Sequence, residues 1–386
     1  MRGEGLTYDL SYVRSVPRQL VSPPAARARI RDETATMALL ATLIRGQASD
    51  LATGRSPQAV STAAMRHGVL PLVYAGLGGG PGNGSGDALD PLRTALAMLA
   101  RTEAAVDAIR VAACGKLLQA LHESGVPVLV FKGGALAFSH YPRSDLRARD
   151  DTDLLVEESD LAVLDSTMRD LGYRQAIASS GELVSQQRLY TLIDTRQIHH
   201  NVDVHWRVSN RHRYARMFDL GELLDRSRTI PGWTSTARCP CPVDALLIAA
   251  LHRASHRGTD RLVWLYDIHR LLAAMDDDER HVLEERALAK GLMDEYQQAV
   301  AGAHYFFGEG GQPPRNLARG VRTIDIWLAD LKALPSWRAR MALLKEHAFP
   351  PGDYMRRMGA GGKGLNLPIA YLARGLRGSL KLFRRA

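Results

Sequence analysis

The sequence lacks any long apolar run. The longest candidates, such as Asp244–Leu251 (DALLIAAL), are far shorter than the roughly 20 apolar residues that a membrane-spanning helix needs. The first residues, MRGEGLTYDLSYV, also lack the basic head and apolar stretch of a secretory signal. We therefore expect a cytoplasmic protein.

Cysteine is scarce as well. The chain contains three, Cys114, Cys239 and Cys241, which is an odd number. The Cys239-Pro-Cys241 pair lacks the two-residue spacer of common zinc and redox pairs. A disulfide framework is therefore not indicated, and we expect three reduced thiols.

Acidic residues are absent from residues 354–386, which contain eight Lys and Arg residues. Because the whole chain carries a net charge of +9, the remainder carries only about +1. A broad nucleic-acid-binding face is therefore not expected. Residues 369–386 have the pattern of a basic amphipathic helix, which suits an anionic membrane surface or an acidic partner. The same pattern also fits a last helix that packs on the core, so a peripheral membrane location stays open.

The pattern of apolar residues and glycines divides the chain into four regions. The predicted fold class of the whole chain is α+β (mixed α/β). Residues 1–124 are predicted to be a helical region with a flexible, glycine-rich loop at 78–88. Residues 125–210 are predicted to form a small α/β sheet core. Residues 211–310 are predicted to be helical again, and 311–386 to be a helical extension that ends in the basic tail.

Three strands are predicted in the core from short apolar runs or alternation: Val126–Phe131, Asp151–Val156 and Gln197–Val208. The pattern of Glu182–Ile193 fits a strand or a helix. In the N-terminal region, Asp32–Ile44 is predicted to be a helix with Asp32 as its N-cap.

Two aspartates begin the second predicted strand. Asp151 and Asp153 are two residues apart, so they face the same side of a strand. Two neighbouring carboxylates repel each other unless a cation or solvent lies between them. Asp203 is a third carboxylate, and it joins them if its strand lies beside theirs. Such an oxygen-rich site suits Mg²⁺ (or Mn²⁺), whereas an isolated Asp-x-Asp is more often a solvated strand end.

A glycine pair follows the first predicted strand. Lys132, Gly133 and Gly134 would let the backbone approach a phosphate, and Lys132 would add a positive charge. An ordinary glycine turn is the simpler interpretation, because the motif is not a P-loop. Arg147 and Arg149 precede the carboxylates, where they either pair with triphosphate oxygens or offset local acidic charge.

Histidines supply further candidates. His205 lies on the same strand face as Asp203 and could orient it or transfer a proton. His252 and His256 are four residues apart, so they share one face of a predicted helix. They are either structural or a wall of the nucleotide or acceptor pocket. A zinc-protease motif is excluded because Arg253 stands where such a motif has Glu.

Taken together, these motifs resemble the uncharacterised nucleotidyltransferase family of the DNA polymerase beta-like superfamily. The resemblance is carried by the segments Lys132-Gly-Gly-Ala-Leu136, Tyr141, Leu146-Arg147, Asp151-Thr-Asp-Leu-Leu-Val156, Leu171-Gly-Tyr173 and Val202-Asp-Val-His-Trp206. The flanking segments His67-Gly-Val-Leu-Pro-Leu-Val-Tyr74, Leu246–His256 and Trp264-Leu-Tyr-Asp267 also resemble that family.

The resemblance implies an enzyme that moves a nucleoside monophosphate from an NTP to an acceptor with two metal ions. Asp151 and Asp153 would bind both ions, and Asp203 would bind the catalytic one. Lys132, Gly133 and Gly134 would hold the phosphates, and Arg147 would assist. His205 and His252, which the residue pattern rather than the resemblance suggests, are further candidates to line the nucleotide site. The sequence does not name the acceptor, and a protein, a sugar, a peptide, another natural product and RNA are all open.

The sequence departs from the superfamily pattern in two places. Gly133-Gly134 stands where a Gly-Ser element is usual, so the hydroxyl that often touches phosphate is missing. Asp203 stands where many relatives have Glu, which is longer by one CH₂. These departures keep open the alternative of a non-catalytic nucleotide-binding or scaffold protein with the same fold.

Overall fold

The structure is a computed structural model. It describes residues 23–47, 54–79, 89–175, 183–256, 260–308, 310, 323–352, 355 and 371. The predicted tail helix at 369–386, apart from Tyr371, and residues 80–88 of the predicted loop lie outside the described residues.

The described N-terminal part of the chain is helical. Helices α1 to α4 span Pro23–Ile44, Pro57–Arg66, Leu70–Gly76 and Asp90–Glu123. The predicted N-cap at Asp32 is wrong, because α1 begins at Pro23 and Asp32 lies inside it. Proline is tolerated in the first turn of a helix, and the alanines and arginines that follow favour the helical state. The helix therefore begins before Asp32.

A five-stranded mixed sheet forms the core. Its strands are β1 Leu129–Phe131, β2 Asp151–Leu155, β3 Arg174–Gln175, β4 Gln187–Ile193 and β5 His199–His205. Their order across the sheet is β1-β2-β5-β4-β3. Strands β2 and β5 are parallel, and the other neighbouring pairs are antiparallel. The three predicted strands are present, and the ambiguous segment contributes β4.

Helices occupy the connections and the region after the sheet. Helix α5 (Lys132–Ser139) follows β1 directly, and α6 (Leu161–Asp170) joins β2 to β3. After β5 come α7 His212–Ala215, α8 Leu220–Asp225, the two-stranded ribbon β6 Arg228–Thr229 and β7 Arg238–Cys239, α9 Pro242–Ser255, α10 Leu262–Ala274, α11 Asp277–Ala289, α12 Met293–Phe307, α13 Thr323–Ala333 and α14 Trp337–Ala348. The mixed α+β prediction is confirmed.

The two faces of the sheet contribute to two hydrophobic clusters. Leu154 and Val204 belong to the cluster that includes residues of α4 and α6. Leu155 and Phe131 belong to the larger cluster, which includes most of α9 and α10. Because alternate strand residues face opposite sides, Asp153 shares the face of Leu155. The carboxylates are therefore directed toward the helical region that follows the sheet.

No helix in the described part of the chain is long and apolar enough to cross a membrane. The three cysteines are free and buried, as the reduced-thiol prediction requires. Burial raises the pKa of the Cys114 thiol to about 12, so it is protonated near neutral pH.

Candidate functional site

Two aspartates meet at the centre of the sheet. Asp153 on β2 is the direct register partner of Asp203 on β5, across a parallel pair of strands. Asp153 is buried, and Asp203 is partly buried. The adjacency that the sequence left open is therefore present in the structure.

Lys132 and His205 complete a compact polar group with these carboxylates. The Lys132 Nζ donates to Asp153 Oδ1 at 2.7 Å and lies 3.3 Å from His205 Nε2. His205 Nε2 is 2.9 Å from Asp153 Oδ1 and 3.6 Å from Asp203 Oδ2. One ammonium group thus partly offsets two carboxylates in a site where water has little access.

This charge arrangement shifts the pKa of two groups. Burial alone would raise the pKa of the Asp153 carboxyl, but Lys132 and His205 hold it well below its usual range. Burial, and then the Lys132 ammonium, lower the pKa of His205 to about 4. Asp153 is therefore ionised and His205 neutral near pH 7.

Two amide side chains orient Asp203. The Gln187 Nε2 donates to Asp203 Oδ2 at 2.6 Å, and the Asn210 Nδ2 donates to Gln187 Oε1 at 2.5 Å. The Asn210 Oδ1 in turn accepts from the backbone N–H of Gln186 at 2.8 Å. We call Gln186, Gln187 and Asn210 the amide clasp. The Oδ2 that Gln187 binds is also the Asp203 oxygen that lies 3.6 Å from His205 Nε2, so the clasp sets the orientation of this carboxylate.

Asp151 lies outside this group. It begins β2 and is the register partner of Asn201. Within the described residues, one group of potential metal ligands comes together, with its ligand atoms within 4.8 Å of one another: Asp153, Asp203 and His205. Two of the three predicted carboxylates are thus joined by a histidine, and Asp151 is not among them.

The glycine pair is enclosed. Both glycines are buried in the first turn of α5. A Cβ on Gly133 would lie 2.9 Å from the Arg147 guanidinium, and one on Gly134 would lie 3.3 Å from Thr152 Cγ2. Lys132 itself has φ of +53°, in the left-handed region that L-residues seldom adopt. This conformation lets the helix begin at once after β1.

Arg147 forms a buried ion pair. Its Nε and Nη2 donate to the two carboxylate oxygens of Asp267 on α10, each at 2.8 Å, and its Nη1 donates to the Ala148 carbonyl at 2.6 Å. The Tyr141 hydroxyl donates to the same carboxylate at 2.6 Å. Of the two roles open for Arg147, this geometry fits the neutralisation of acidic charge. The guanidinium packs directly against Gly133.

His252 lies on α9, close enough to Lys132 for the ammonium charge to affect its pKa. Its ring centroid is 4.7 Å from that of His256 and 5.0 Å from that of Trp264. Burial lowers the pKa of His252 well below its ordinary value, and the Lys132 ammonium lowers it further. These three rings form one aromatic wall beside the polar group.

Three residues at the site have no recognisable motif in the sequence. The pairing of β4 with β5 sets Gln187 opposite His205, and Asn210, which follows β5, joins the site through its hydrogen bond to Gln187. Arg261 is the N-cap residue of α10, and burial and then Arg147 lower its pKa. Its guanidinium would lie 2.8 Å from a Cβ on Gly68, which places this arginine against the His67-Gly68 segment.

Comparison with known protein families identifies the family of this chain. The model of the family described as "Uncharacterised nucleotidyltransferase" matches residues 53–308, about two thirds of the chain. The chain belongs to this uncharacterised nucleotidyltransferase family. The match begins before α2, ends just after α12, and includes each residue of the polar group.

Other comparisons add less. The solved structure of an antibiotic-resistance factor, ANT(2″)-Ia, is similar at 14% identity and a TM-score of 0.35. It covers 50% of this chain and 97% of its own. No curated protein matches this sequence.

Proposed function

We propose that this protein transfers a nucleoside monophosphate group from an NTP to an acceptor, with a divalent metal. The observation that supports this most is the register of Asp153 beside Asp203, with Lys132 and His205 in contact, inside a nucleotidyltransferase family match. The expected acceptor bears a hydroxyl or similar group on a protein, a sugar, a peptide or another natural product.

The residues present fit a metal ion. Adjacent carboxylates in a buried site need positive charge between them, and the Lys132 ammonium provides some of it. Asp153 and Asp203 would hold a cation, with Asp151 at the edge for a second one. When bound, such ions would supply charge stabilisation for the pyrophosphate leaving group.

The chain's own residues would divide the remaining work. Lys132 and the backbone amides of the first turn of α5, at Gly133 and Gly134, would hold the phosphates at the helix N-terminus. Arg147 would act through Gly133 rather than by contact with phosphate. Asp203, held by the amide clasp, would orient the acceptor hydroxyl and favour loss of its proton. His252 would line the nucleotide pocket with Trp264.

The experiment compares charge-neutral variants. Purified protein is incubated with cell extract and each NTP labelled at the α-phosphate, and adducts are sought by mass. We expect adducts with the wild type and a loss of about 10²–10³-fold in Asp153→Asn and Asp203→Asn, the range typical of a lost transition-state contact. Glu158→Gln, at an exposed carboxylate, should retain activity.

Two results would contradict the proposal. One is a wild type that binds no NTP in the presence of metal. The other is a set of variants that transfer as well as the wild type. The Asp151→Asn variant tests the role of the remaining predicted carboxylate. A loss of adduct formation equal to that of Asp153→Asn would assign Asp151 an equal role.

A non-catalytic nucleotide-binding protein is the second candidate. It is favoured by the missing hydroxyl at Gly133-Gly134 and by the ion pair of Lys132 with Asp153, which places an ammonium where a metal would bind. Metal-dependent NTP binding without any adduct would support it. We also retain the sequence-based proposal that residues 369–386 contact an anionic membrane surface or an acidic partner.

A further inference from the structure

We propose that His205 is itself a metal ligand through Nε2, so that the site takes a first-row transition ion such as Mn²⁺ in preference to Mg²⁺. The inference rests on the proposed function in one respect, namely that the site binds a metal. It keeps Asp153 and Asp203 as ligands and puts the His205 imidazole in the place that the sequence prediction gave to Asp151.

The distances among the three donor atoms suit one ion. His205 Nε2 is 2.9 Å from Asp153 Oδ1 and 3.6 Å from Asp203 Oδ2. Ligands at about 2.1 Å from an ion and at right angles to each other lie roughly 3 Å apart. The two carboxylates and the imidazole can therefore occupy neighbouring positions around a single cation.

The strand geometry explains why the imidazole takes this place. Asp203 and His205 are two residues apart on β5, so both side chains lie on the face that Asp153 shares. Asp151 is one pleat farther along β2, opposite Asn201. The sheet thus brings His205 to the carboxylate pair.

Packing fixes the ring. His205 is 2% exposed, and the Phe131 ring lies edge-on to it at a centroid distance of 5.1 Å. Its Nδ1 is buried and has no hydrogen-bond partner within the described residues. Histidine ligands usually gain their orientation from a partner at the second nitrogen, so here the orientation comes from the phenylalanine and the strand.

The Lys132 ammonium already occupies the space between Asp153 and His205, which therefore accepts a positive charge. Its ammonium lies 2.7 Å from Asp153 Oδ1 and 3.3 Å from His205 Nε2. A metal bound by Asp153 and His205 would displace the ammonium, which could then turn to the phosphates. A mixed oxygen and nitrogen donor set weakens the preference for Mg²⁺, which favours oxygen, and suits transition ions.

Pulsed electron paramagnetic resonance on the full chain loaded with Mn²⁺ tests the assignment. We expect the ¹⁴N modulation of a directly bound imidazole in the wild type, and its loss in His205→Asn. His252→Asn, a matched change at the other histidine near Lys132, should keep the modulation. In competition, the preference of the wild type for Mn²⁺ over Mg²⁺ should fall about tenfold in His205→Asn.

A second measurement needs no variant at His205. With ¹⁵N-labelled histidine in the wild type, the ¹⁴N pattern should change to that of ¹⁵N. Bound Mn²⁺ without nitrogen coupling would overturn the inference and leave the proposed function intact, as would coupling that persists in His205→Asn. No Mn²⁺ binding, even in Lys132→Met where the competing ammonium is gone, would overturn both.

Discussion

At the scale of single residues, Lys132 combines an unfavourable backbone with a favourable side chain. A non-glycine residue in the left-handed region costs about 1 kcal/mol. The ammonium gains an ion pair with Asp153 and a position 4.7 Å from the centre of the Phe131 ring. These contacts offset the cost of the backbone conformation, and a glycine at this position would not make them. This accounts for the lysine in front of the glycine pair.

Glu103 on α4 offers a pH test that is independent of activity. Burial, and then the charges of Asp150 and Asp107, raise the pKa of its carboxyl to about 7. The native state therefore binds more protons than the unfolded state between about pH 4.5 and 7, and stability is lost as pH rises through that window. We expect Glu103→Gln to raise the melting temperature by about 1–3 °C at pH 8 and to have little effect at pH 4.5, as measured by scanning fluorimetry.

Glu33 provides a control of opposite sign. Its hydrogen bond with His67 lowers the pKa of its carboxyl although burial opposes this. Glu33→Gln should lower the melting temperature at pH 8 or leave it unchanged. If Glu103→Gln also lowered the melting temperature at pH 8, the buried carboxylate would not be the unfavourable group that the structure indicates.

At the scale of elements, local patterns predicted which segments form strands, but not how the strands pair. The alternation in Gln197–Val208 predicted β5, and the run from Asp151 predicted β2. Their parallel pairing joins residues about 50 positions apart, and no sequence period encodes it. Asp153 and Asp203 could therefore be proposed as partners, whereas the role of His205 beside them depended on the register.

The helices after the family match contact the chain on either side of the amide clasp. The backbone N–H groups of Leu183 and Val184 donate to Glu346 Oε2 of α14 at 2.8 and 3.1 Å, just before the amide clasp begins. Asp330 of α13 pairs with Arg211 at 2.8 Å, just after Asn210. Helices α13 and α14 thus hold the chain on both sides of the clasp that orients Asp203.

This arrangement predicts an effect of Glu346 at a distance. Glu346→Ala removes the acceptor of two backbone N–H groups, so we expect Asp203 to lose its fixed position and kcat for nucleotidyl transfer to fall about tenfold. The KM for NTP should change little, because the phosphate site on α5 is not touched. Glu346→Gln keeps one acceptor oxygen and should recover most of the rate.

Lys345→Ala, at an exposed neighbour on the same turn, is the control. All variants are to be compared at a temperature well below their melting points. Should Glu346→Ala lower the melting temperature while kcat stays at the wild-type value, α14 would stabilise the fold without positioning Asp203.

At the scale of the whole molecule, the site lies where the sheet meets the helices that follow it. The face with Asp153 and His205 is directed toward the side of α9 and α10, and the opposite face packs on α4 and α6. The sequence predicted the helical regions as flanks of a sheet core. Only the tertiary packing shows that Asp267 of α10 pairs with Arg147, the residue that packs against Gly133.

The Arg147–Asp267 pair therefore joins the sheet core to the helical region, and its removal has a predictable cost. Both side chains are at least nine-tenths buried. Asp267→Asn leaves the Arg147 charge uncompensated, so we expect the free energy of unfolding to fall by about 3–5 kcal/mol in urea titrations. Arg147→Met should cost a similar amount because it leaves the Asp267 charge buried. The double variant contains neither charge, so its loss should be smaller than the sum by roughly 2 kcal/mol. Losses that add to within about 0.5 kcal/mol would mean that the two residues stabilise the fold separately.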